Sequence, residues 1–115
     1  MQENDQPWLM FYEQFLDEAV TEMPGGRQTI NMKATLELVR TSPKSAQMTV
    51  QVLWKQFKDS EVQGNPMHVG LRMDCCSLAF AYILAFGEDD PSTLMLEKFC
   101  PGLFAETARM VEESH

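Results

Sequence analysis

The chain has 115 residues and a formal net charge of −8, with 44% hydrophobic and 23% charged residues. That is the balance of one small folded domain, and it argues against a disordered, collagenous or membrane-embedded chain. The acidic excess opposes general attraction to nucleic acid or to anionic membranes, so direct nucleic-acid binding is not expected.

In chain order, residues 1–6 are polar and acidic and read as a disordered tail ahead of a single helical domain over 7–113. They lack the basic start and apolar run of a signal peptide. Five prolines stand where a helix can begin: Pro7, Pro43, Pro66, Pro91 and Pro101. Three of them directly follow Ser42, Asn65 and Asp90. Proline at the first helical position loses no hydrogen bond, and Ser, Asn or Asp before it can accept from a free N–H.

Trp8, Phe11, Tyr12, Phe15 and Ala19 recur at helical spacing, with Leu16, Val20 and Met23 widening the stripe. This predicts a first helix over 7–23, ended by Pro24-Gly25-Gly26. Over 29–40, Ile30, Met32, Ala34, Leu36 and Leu38 alternate with polar residues, which is the period of a half-buried strand. Their residue types favour helix instead. Over 43–58, Ala46, Val50, Leu53, Trp54 and Phe57 form a helical stripe after Ser42-Pro43. The two segments stand or fall together, because a lone strand has no partner. Both are read as helices, with a β-hairpin over about 29–57 as the alternative.

Residues 59–64 read as a loop. The segment 66–86 is apolar nearly all round and predicts a long helix, buried in the core or forming a homodimer seam. Its longest uncharged run, 75–87, is too short to span a bilayer. Short helices over 92–99 and 101–113 complete an all-α bundle of five to six helices. The alternative fold is α+β, with the hairpin packed on helices.

Catalytic signatures are absent from the sequence: there is no phosphate-binding loop, no dinucleotide fingerprint and no nucleophile elbow. His68 and Cys75 share a helix face two turns apart, about 10 Å along the axis, too far for a Cys–His pair. Cys75, Cys76 and Cys100 lack the spacing of a zinc site and the even count of a secreted scaffold. They read as buried small hydrophobes in a reducing, cytoplasmic setting. No cofactor, metal site or enzymatic activity is expected.

Charge is segregated: −6 over residues 1–26, +5 over 27–58 and −7 over 59–115. The ordinary outcome is internal pairing of the basic middle with the acidic ends. The functional reading is an acidic surface for a basic partner, carried by Glu13, Asp17, Glu18, Glu22, Glu88, Asp89 and Asp90. Nine methionines, with Trp8, Phe11, Tyr12 and Trp54, supply more adaptable apolar surface than a small core needs.

The expected function is therefore a non-enzymatic protein-interaction module: a regulator, adaptor or inhibitor. One alternative is an acidic inhibitor imitating nucleic acid, in which Glu112 and Glu113 join the carboxylates above. A second is a thiol or metal-binding protein using the three cysteines.

Overall fold

At Ser42-Pro43 and Asp90-Pro91 the helices start at the proline, as expected. In a computed structural model, which describes residues 7–25 and 27–113, α1 spans Pro7–Glu18, α3 spans Pro43–Val62 and α5 spans Pro91–Phe99. The remaining helices are α2 (Met32–Thr41), α4 (His68–Phe86) and α6 (Leu103–Glu113). The tail expected at 1–6 lies outside the described residues. The bundle of six helices is as expected, with one small sheet added.

That sheet corrects the reading of the first helix. Residues past Glu18 leave the helix, and β1 (Val20–Met23) pairs antiparallel with β2 (Arg27–Ile30). The register sets Val20 opposite Ile30 and Met23 opposite Arg27. Pro24 and Gly25 lie in the turn, and Gly25 takes φ +90°, a conformation that a side chain resists. The base of the hairpin is closed by the Asn31 N–H donating to the Ala19 carbonyl at 2.7 Å. An isolated two-stranded ribbon is marginal. This one is held by Val20 and Ile30, which pack half-buried against the core.

The alternation over 29–40 therefore divides. Thr29 and Ile30 belong to β2, and the rest becomes α2. Asn31 starts α2: its Oδ1 accepts from the Ala34 N–H, and its carbonyl accepts from the Thr35 hydroxyl. The alternative hairpin over 29–57 does not form, because 32–41 and 43–62 are both helical. The loop expected at 59–64 shrinks, since α3 continues to Val62. Asn65 caps a turn before α4, with its Oδ1 accepting from the Met67 N–H, so α4 starts two residues after Pro66.

One core cluster draws on all six helices. Phe11 and Phe15 enter from α1, Val50, Leu53 and Phe57 from α3, and Leu78, Ala79 and Tyr82 from α4. By length and mean hydropathy, 1.5, α4 resembles a bilayer span, yet it carries Arg72 and Asp74. Its packing against α2, α3, α5 and α6 accounts for its apolar character.

Gly70 is exposed in the first turn of α4, and a Cβ there would meet nothing within 4 Å. Gly70→Ala is expected to raise stability by about 0.5–1 kcal/mol through helix propensity. Thermal unfolding followed by circular dichroism checks this.

Candidate functional site

Because α4 is apolar on nearly every face, whatever its neighbours leave uncovered becomes apolar surface. Part of that surface lies along the seam with α6. One hollow of about 460 Å³ is lined by Gln28, Thr29 and Ile30 of β2, Met32 of α2, Met73, Ser77 and Phe80 of α4, and Met110 and Val111 of α6. A second, of about 570 Å³, is lined by Phe80, Ile83, Glu88, Leu94, Phe104, Thr107, Ala108 and Val111. Phe80 and Val111 belong to both, so the two hollows lie side by side along one groove-like seam. From Met73 to Ile83 the hollows follow about 15 Å of α4 at helical rise. Leu94, 52% exposed, stands at one end beside Glu88.

The seam is fastened on its other side by charge. Arg72 of α4 donates through Nε to Glu106 and through both terminal nitrogens to Glu113, at 2.9 and 3.2 Å. Arg109 also pairs with Glu106. Burial pushes the Glu106 carboxyl up, but hydrogen bonds from Arg72 and Arg109 outweigh it and hold the group below its ordinary range. The bidentate contact from Arg72 holds Glu113 low as well. At the other end of α6, Glu97 accepts from the Gly102 and Phe104 N–H groups, tying α5 to the start of α6.

On another face of α4 lies Asp74, only 6% exposed. The Tyr12 hydroxyl donates to its Oδ2 at 2.6 Å, and its Oδ1 is buried without a hydrogen-bond partner. Burial pushes the Asp74 carboxyl up, and the Tyr12 hydrogen bond opposes the rise. The Tyr12 phenol is pushed up too, by its own burial and then by Asp74. A cavity of about 300 Å³ opens here, lined by Tyr12, Leu16, Gln28, Met67, Gly70, Leu71 and Asp74. The signal in the sequence was a lone acid beside an apolar run, but its partner lies 62 residues away.

The expected acidic residues fall in two groups. Glu13, Asp17, Glu18 and Glu22 are exposed on α1 and β1. Their neighbours Tyr12 and Leu16 border Gly70, near the start of α4. Glu88, Asp89 and Asp90 follow the end of α4, about 24 Å of helix further on. Asp90 is a helix cap: its Oδ1 accepts from the Ser92 hydroxyl and N–H, which holds the carboxyl below its ordinary range.

The three cysteines are free and buried. Burial pushes the Cys75 and Cys76 thiols up, and takes Cys100 to about 11, so the nucleophilic thiolate is disfavoured at neutral pH. The Cys75 thiol donates to the Val50 carbonyl at 3.6 Å. His68 Nδ1 lies 2.7 Å from the Asn65 carbonyl. Among the described residues, no group of three or more His, Cys, Asp or Glu side chains is placed to hold a metal ion.

Comparison with protein-family models, with curated proteins and with solved structures finds no match to this chain.

Proposed function

We propose that this domain works by binding rather than by catalysis, and that its groove between α4 and α6 receives an amphipathic helix of a partner protein. The observation that carries the reading is the pair of adjoining apolar hollows, one lined by Met32, Met73 and Met110 and the other bordered by Glu88. Their span along α4, about 15 Å, suits roughly three helical turns of a partner. Unbranched, polarizable methionine adapts to different apolar side chains. Glu88 and the exposed Asp89 favour a partner whose helix carries Lys or Arg beside its apolar stripe. The basic partner inferred from sequence charge is thereby given a second requirement, an apolar face.

The test is a synthetic helix with a leucine face and a lysine flank, set against a scrambled peptide of the same composition. Methyl NMR of the methionines reads the outcome. The amphipathic peptide is expected to move Met32, Met73 and Met110, and Phe80→Lys is expected to weaken binding at least tenfold. Equal binding of the scrambled peptide, or shifts confined to other methionines, overturns the reading. So does light scattering that finds a dimer with these methyls already shielded.

A further inference from the structure

We propose that the cavity between α1 and the first turns of α4 binds a small organic ammonium ion, with Asp74 as its counter-charge. The site is separate from the α4–α6 groove and does not depend on the reading of that groove. Three observations lead to this ligand class.

First, the site holds a carboxylate taken out of water without a cation. Asp74 is 6% exposed, and no ion pair to it occurs among the described residues. The nearest basic residue in sequence, Arg72, is engaged by Glu106 and Glu113. A buried charge without a partner is costly, so a ligand that brings the opposite charge gains what the fold leaves unspent.

Second, hydrogen bonding at Asp74 is half complete. Tyr12 satisfies Oδ2, while Oδ1 is closed to water and has no partner, so an ammonium reaches it only as the side chains over it give way. An ammonium offers N–H donors together with positive charge, and charge-assisted bonds of this kind are the strong ones. A neutral alcohol offers one donor and no charge. A carboxylate or phosphate ligand would be repelled.

Third, the remaining walls are mostly apolar. Leu16, Met67 and Leu71 line the cavity together with the one amide of Gln28, and Gly70 leaves its mouth without a side chain. At about 300 Å³ the cavity stands at the small end of ligand sites, which run to about 1,000 Å³. The ligand is accordingly a compact apolar body with one ammonium head.

The experiment uses the full chain and three probes of similar shape: 2-phenylethylammonium, 2-phenylethanol and phenylacetate. The Met67 methyl and the Leu16 and Leu71 methyls report binding by NMR. The expected result is saturable shifts with the ammonium and at least tenfold weaker binding of the alcohol and the acid. Asp74→Asn keeps the side-chain shape and is expected to weaken ammonium binding at least tenfold. Gly70→Leu fills the mouth of the cavity from an exposed position and is expected to abolish binding without lowering the melting temperature. This second variant decides the matter if the first folds poorly. Absence of shifts with the ammonium overturns the proposal, as does equal affinity for the alcohol or binding that survives Gly70→Leu. Shifts at Met73 and Met110 instead of Met67 also overturn it, and they would assign the probe to the other groove.

Discussion

Replacing Phe15 by alanine is expected to cost about 3–5 kcal/mol, the usual cost of emptying a fully buried aromatic site. Phe15 is 0% exposed and stacks on Tyr12, with ring centroids 6.3 Å apart. It carries α1 into the core built by α3 and α4. Domains of this kind are stable by only about 5–15 kcal/mol, so the loss is a large share of the total. Thermal unfolding should show a fall of roughly 15–25 °C. Leu9, on the same helix, is 39% exposed, and Leu9→Ala should change stability by less than about 1 kcal/mol. Equal effects at the two positions would contradict the packing of α1 described above.

The second large effect is expected from Tyr12→Phe. This substitution keeps the ring and deletes the hydroxyl that donates to Asp74. A hydrogen bond to a buried charged group contributes about 1.5–3 kcal/mol, and that is the expected loss at neutral pH. The loss should depend on pH. Burial raises the Asp74 carboxyl in the folded state and the Tyr12 hydrogen bond restrains the rise. Between the unfolded value, 3.8, and the raised folded value, the native state holds more protons than the unfolded state, so stability falls as pH rises. Deleting the hydroxyl extends that window upward. The cost of Tyr12→Phe should therefore be greater at pH 7 than at pH 4. Asp74→Asn removes the titration and should flatten the fall. Denaturant unfolding across this range measures all three slopes.

How far the sequence was legible depends on how many structures each pattern fits. Ser42-Pro43 and Asp90-Pro91 mark helix starts with a backbone reason that tertiary contacts do not change, and both hold. Val20 and Met23 fit a helical stripe as well as a strand. What separates them from α1 is the β-branched pair Val20-Thr21, followed within a few residues by Pro24-Gly25. The stretch 29–40 alternates across the junction of a strand and a helix, so one period describes neither element.

The candidate sites were harder to foresee for a related reason. On a helix that is apolar on nearly every face, no local pattern tells which side its neighbours will leave open. The groove at Phe80 and the cavity at Asp74 exist because α6 and α1 cover only parts of α4. The segregated charge was plain in the sequence, but its placement at the two ends of α4 required the fold.

The distance in sequence between Tyr12 and Asp74, 62 residues, also bears on how the chain is made. At about 5–20 residues per second, synthesis of that interval takes roughly 3–12 s. Throughout it, α1 lacks the helix that carries Asp74, and the core that Phe11 and Phe15 enter is incomplete. A nascent chain of this protein therefore presents Phe11 and Phe15 to whatever holds unfolded chains in the cell. The Tyr12–Asp74 hydrogen bond, which ties α1 to α4, must wait until that interval has been made.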